Sequence, residues 1–170
     1  MTDRIRGVRL KIKQSREHIV GVGKMIPLFC ESRPYTIETK PHPVAQIHHT
    51  TLYVARVQPV PDDIKLVVGD AIHNLRSSLD HLAWQLVEAN GGTPSRKTYF
   101  PISESYEKYI NSVSNGVLEG MSVDAQKLIG DCQRHASKND TLWVIHELDR
   151  IDKHRLLITV VSTMDKWGWT

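Results

Sequence analysis

Between Asp62 and Ala89 the apolar residues Ile64, Val68, Ile72, Leu75, Leu79, Leu82 and Leu86 recur three and four positions apart, the spacing of one face of an α-helix. At about 100° per residue they fall within an arc of roughly 80°. That stripe is predicted to be the core face of a long helix. Pro61 and two aspartates open it, and Asn90-Gly91-Gly92 supplies a stop. An earlier helix is predicted over about 3–29, where Ile5, Val8, Ile12, Ile19, Val22 and Ile26 share helical spacing, with Gly21 and Gly23 as places to fray or bend. From Pro34 to Pro61 the period changes. Tyr35 and Ile37 alternate with polar residues, and HTTLYVARV is rich in β-branched and aromatic types. This reads as a β-hairpin whose loop holds Pro41 and Pro43, too small to fold alone. A third helix should follow FPIS with Ser103 as its N-cap, fading near Asn115-Gly116; a short fourth follows Ser122. A fifth should run from near Asp140 to about Met164. The predicted fold is mainly α: an antiparallel helical bundle of four to five helices, forming a single domain over 1–170, with an inserted β-hairpin at about 34–60.

Composition narrows the classes. The chain's 170 residues suit one domain with a real core. A hydrophobic fraction of 40% and a charged fraction of 24% are those of a globular domain rather than a disordered one. Apolar runs are only a few residues long, so no membrane span is expected, and charges break up the N-terminal apolar stretch, which excludes a secretory signal there. Two cysteines, Cys30 and Cys132, give neither a disulfide framework nor a thiolate metal motif. A cytoplasmic protein is expected. The formal net charge of +3 is mild, but Arg4, Arg6, Arg9, Lys11, Lys13 and Arg16 crowd the first helix, offset only by Asp3 and Glu17. Such a patch is either the solvated face of an amphipathic helix or a steering surface for phosphates.

Two segments carry the candidate chemistry. Opposite the apolar stripe of the central helix lie Asp70, His73, Arg76, Ser77 and Asp80, with His81 at the edge, bracketed by Leu66 and Trp84. Apolar ends around a polar middle suggest that this face is covered as well, by another helix or a second subunit. Arg76 and Asp80 stand four apart, within ion-pair reach, and Ser77 is four from both histidines. The fifth helix has Leu142, Trp143, Val144 and Ile145 at one end and Leu156, Leu157, Ile158, Val160 and Val161 at the other, pointing in nearly every direction. That pattern predicts burial on all sides. Its middle nonetheless reads HELDRIDKHR, with Asp149–Lys153 and Asp152–Arg155 at the spacing of intrahelical pairs. Antiparallel packing would bring the two charged belts level, as two walls of one site.

The string GDAIHNLRSSLDHLAWQL, followed later by LDRIDKHRLL, resembles a family of uncharacterised bacterial and phage proteins marked by HNLRSxLDH and IDKHR. The run from Arg76 through four residues to His81 also resembles the Arg-x4–6-His motif of HEPN ribonucleases, which are helical bundles; Ser77 stands where those enzymes usually carry Asn, Asp or His. That resemblance implies metal-independent RNA cleavage. His81 would exchange protons at the ribose, Arg76 would stabilise charge on the phosphate, and Asp80 would orient one of them. His73, Arg150, Lys153, His154 and Arg155 would bind substrate. RNA is the implied partner, two subunits would pair as a homodimer, and neither metal nor other cofactor is called for.

Two other readings compete. Asp70-x-x-His73 with Asp149, Asp152, His146 and His154 has the residue types of a metal site, but a second carboxylate-x-x-His is missing and Arg76, Arg150 and Lys153 would repel a cation. The alternative to an enzyme is a non-enzymatic accessory or interaction protein whose belts organise a dimer or partner interface. An open groove with unpaired imidazoles would favour chemistry; closed, paired belts would favour structure. No P-loop, dinucleotide fingerprint, HExxH or nucleophile elbow is present. Trp167 and Trp169 are expected to cap the core or a subunit contact.

Overall fold

The computed structural model describes residues 3–41, 50–133 and 141–155. Within them the chain forms helices α1 (Arg6–Glu31), α2 (Asp62–Ala89), α3 (Tyr106–Ser114), α4 (Val123–Asp131) and α5 (Thr141–Asp152). Strands β1 (Tyr35–Pro41) and β2 (Thr50–Val57) pair antiparallel between α1 and α2. The protein is mainly helical with an inserted hairpin, as the hydrophobic pattern predicts. Pro41 closes β1, whereas Pro43 lies outside the described residues.

Helix α1 lies antiparallel on α2. Gly7 faces His81, Lys11 donates to the Asn74 side chain at 3.1 Å, Ser15 donates to the Ala71 carbonyl at 2.8 Å, and Gly21 faces Val67. Ser15 is fully buried, so its hydroxyl needs that carbonyl; an unpaired buried hydroxyl costs about 1–3 kcal/mol. Neither Gly21 nor Gly23 interrupts the helix, which also accommodates Pro27.

The densest packing sits at the C-terminal half of α2. Ala83 and Val87 meet Phe100, Val117, Leu118, Met121, Ala125 and Ile129, with Leu79, Leu86 and Leu142 against them. The predicted stripe of α2 is therefore only partly the core face. Ile64 is buried and Leu79 and Leu86 join the cluster, but Val68, Ile72, Leu75 and Leu82 are half-buried. The positions that disappear instead include Gly69, Ala71, Arg76 and Ser78, because α1 and α5 press on two flanks of the helix where small residues permit close approach. Gly120 turns the chain back at a φ of 83°, and a Cβ there would stand 2.9 Å from a Val87 methyl.

Two expectations are corrected. The N-cap of α3 is Ser105, not Ser103: Ser105 holds extended backbone and its hydroxyl accepts from the Lys108 N–H at 3.3 Å. Ser122 caps α4 in the same way. The start of α5 is not buried on all sides, since Val144 is exposed and Leu142, Trp143 and Ile145 are half-buried; α5 packs along one flank of α2. Regular helix ends at Asp152 and turns continue to Arg155, while the predicted extension to Met164 and the two terminal tryptophans lie outside the described residues. No helix among the described residues is long and apolar enough to cross a membrane.

Candidate functional site

Antiparallel packing of α5 on α2 brings the two charged belts together within one chain. Gly69 stands opposite Asp152, His73 opposite Asp149, and Arg76 opposite His146. The contacts run one turn for one turn along both helices, which is how two charge-bearing strips in register meet.

Arg76 is buried, and each of its three nitrogens is engaged. Nε donates to Nδ1 of His146 at 3.4 Å, Nη1 to the Asp80 carboxylate at 2.6 Å, and Nη2 to the Phe100 carbonyl at 3.0 Å. The same Asp80 oxygen accepts the Phe100 N–H at 3.0 Å. Arg76 and Asp80 thus clamp both backbone groups of Phe100, a core residue, onto α2. His146 accepts through Nδ1, so its remaining proton is on Nε2. Burial, and then the Arg76 charge, push its pKa below the ordinary 6.5, which favours this neutral form.

Asp149 is the buried anion of the seam, its side chain only 4% exposed. It accepts from Nδ1 of His73 at 3.0 Å and from Nζ of Lys153 at 2.6 Å. Burial alone would raise its pKa, but the hydrogen bonds from Lys153 and His73, and their charges, outweigh it and hold the carboxyl below 3.8. His73 is half exposed, and its outer nitrogen, Nε2, has no partner among the described residues. A carboxylate that fixes one imidazole nitrogen and leaves the other facing solvent is an arrangement capable of proton transfer. Asp152 sits beside this pair with its carboxyl pushed up, by burial and by the neighbouring Asp70 and Asp149 charges. Its oxygens occupy the space a side chain at residue 69 would need.

Lys153 joins the seam through Asp149, and the other expected site residues lie elsewhere. His81 is exposed on the α1 side of α2, where Gly7 leaves room for its ring; it neither meets Arg76 nor has a hydrogen-bond partner among the described residues. Arg150 is exposed and paired with Glu147 at 2.7 Å, which lowers the Glu147 pKa mainly through that hydrogen bond. Lys153, His154 and Arg155 are exposed at the end of α5. Arg155 forms no ion pair with Asp152, which turns to Gly69 instead. Ser77 bonds neither histidine. Among the described residues no three His, Cys, Asp or Glu side chains converge as ligands for a metal ion.

Two participants were missed in the sequence: Gly69 and the Phe100 backbone. Gly69 carries a readable signal, because glycine inside a helix costs about 1 kcal/mol relative to alanine and marks close approach. The Phe100 contact carries none, since any residue offers the same backbone. Comparison with known proteins found no matching family model, no matching curated protein and no matching solved structure.

Proposed function

We propose that the chain is a non-enzymatic accessory protein that works by association: the paired belts lock α5 onto α2, and exposed apolar faces engage a protein partner. One contrast carries the reading. Arg76, Asp80, His146, Asp149 and Lys153 are paired within the chain, whereas large apolar residues such as Ile19, Leu28, Ile37 and Leu52 are exposed. Buried ion pairs add little net stability, but they penalise misaligned packing, because a lone buried charge is costly. Contiguous exposed apolar surface marks an interaction site. The test is photo-cross-linking in cells with a benzophenone amino acid at Ile19 or Leu52, and at Val123 on α4, which is 81% exposed, as control. Discrete adducts from the first two and none from Val123 support the reading; no adducts from either overturns it.

A second reading, HEPN-type metal-independent cleavage of RNA, is favoured by the position of His81. Exposed and unpartnered among the described residues, it lies against Gly7, within the segment that bears Arg4, Arg6, Arg9 and Lys11. An exposed imidazole against the helix that carries these bases could exchange protons with a ribose hydroxyl while the bases hold phosphates. Labelled RNA incubated with chelator tests it. Cleavage by the wild type that His81→Ala abolishes, with melting unchanged, supports the reading; an inert wild type or a fully active variant overturns it.

A further inference from the structure

From the N-cap of α1 along the helix, Ile5, Ile12, Ile19 and Ile26 recur every seven residues, and each is 39–54% exposed. The adjacent row, Val8, Ser15, Val22 and Phe29, is buried or half-buried on the side that bears the Ser15 bond to α2. The isoleucine row lies beside that contact, uncovered by any described element. A strict seven-residue spacing keeps a seam facing a second helix as the two supercoil, so the row fits a helical occupant. The hairpin presents a second apolar surface. Its register places Tyr35, Ile37, Leu52, Val54 and Val57 on one face, all exposed, with Glu38, Lys40, Tyr53 and Arg56 on the other. Neither strand packs extensively on a helix among the described residues, and a lone two-stranded hairpin is marginal in water. Facing one partner together, nine such side chains near half exposure would present on the order of 800 Å², about what each partner contributes to a standard stable interface.

Charge chooses the occupant. Over Arg6–Arg16 helix α1 carries +5 (Arg6, Arg9, Lys11, Lys13, Arg16), whereas from Glu17 to Glu31 it carries −1 (Glu17 and Glu31 against Lys24). A second α1 laid antiparallel places each basic half on the other's weakly acidic half; laid parallel, it would stack five bases on five. We propose that two copies of this chain pair antiparallel about a two-fold axis through the isoleucine rows of α1, each hairpin's apolar face resting on the partner. This rests on the association reading above and names its partner and surface.

Sedimentation of the wild type from about 1 to 100 µM should give twice the 19.4 kDa chain mass. Ile12→Glu and Ile19→Glu alter residues already half exposed, so each should sediment as a monomer with helical circular dichroism retained. Leu10→Glu, 52% exposed on the opposite side of α1, should stay dimeric, and Ile37→Glu on the hairpin should weaken the dimer at least tenfold. Spin labels replacing Arg6 in a cysteine-free background should lie tens of ångströms apart, since α1 spans about 39 Å; a separation under about 20 Å means parallel pairing and overturns the proposal. A dimer that survives both isoleucine substitutions overturns this surface while leaving association standing. A monomeric wild type overturns the pairing; cross-linked adducts of another mass would then show that association itself survives.

Discussion

Replacing Arg76 by alanine should destabilise the fold by about 3–4 kcal/mol. Three partners lose a donor. Breaking a fully buried ion pair costs about 3–5 kcal/mol, but the Asp80 side chain is 40% exposed, so water takes over part of that contact. The Phe100 carbonyl, in the buried segment over the core, is left without the guanidinium at about 1–3 kcal/mol. The bond to His146 is long at 3.4 Å and adds little. Against a typical total stability of about 5–15 kcal/mol this is a large fraction. With a urea slope of about 2 kcal/mol per molar, the unfolding midpoint should fall by about 1.5–2 M. Arg76→Lys should recover less than half, because an ammonium cannot reproduce the fork that spans Asp80 and Phe100. A double-mutant cycle with Asp80→Asn should return a coupling of about 0.5–3 kcal/mol. An Arg76→Ala midpoint within about 0.5 M of wild type would refute the clamp.

Other perturbations follow from the same geometry. Asp149→Asn keeps shape but removes the anion between His73 and Lys153, and should cost about 2 kcal/mol at pH 7 by urea titration. Because Asp149 sits below 3.8 in the fold, its contribution is present above that value and lost as pH falls through the folded value, where wild type and variant should converge. His146 has the opposite chemistry and the same direction. Its folded pKa is depressed, so the unfolded chain binds its proton first, and stability should decline as pH drops below 6.5; His146→Gln should flatten that decline between pH 7 and 5. Gly120→Ala combines a positive φ with the Val87 methyl and should lower stability by about 2–3 kcal/mol, whereas Gly91→Ala, at a φ of 81° with nothing within 4 Å, should cost only about 1 kcal/mol. His81→Ala should stay within about 0.5 kcal/mol of wild type in the same titrations, since the ring is exposed and unpartnered among the described residues.

Elements were legible where their punctuation is local. Pro61 before two aspartates, Asn90-Gly91-Gly92, and Ser122 bound their helices through backbone chemistry that the sequence carries on its face. The start of α3 was not legible in that way. Ser103 and Ser105 are equally good acceptors, and only the extended backbone at Ser105 decides between them. The core face of α2 was legible in direction but not in depth. Periodicity reports where apolar side chains point, whereas burial depends on which neighbours arrive, and α1 and α5 arrive over glycine, alanine and serine. For α5, apolar residues around the whole circumference implied complete burial, yet the described residues place one helix against it and leave Val144 exposed.

The candidate site shows the same division more sharply. Arg76 and His81 are five residues apart on an unbroken helix, so their side chains leave it roughly 140° apart. The structure assigns each to a different neighbour: Arg76 to α5 and Phe100, His81 to Gly7 on α1. A guanidinium whose every nitrogen is engaged offers a phosphate nothing without first releasing a core contact. The belts do meet, and there Arg76 pairs with Asp80 and His146 and Asp149 with His73 and Lys153, while Asp152 has no hydrogen-bond partner among the described residues. What the meeting leaves exposed is His73 Nε2 at the rim of the seam, His81 against Gly7 of α1, and the apolar rows beyond. Any partner, whether protein or RNA, meets those surfaces before it meets the paired charges between α2 and α5.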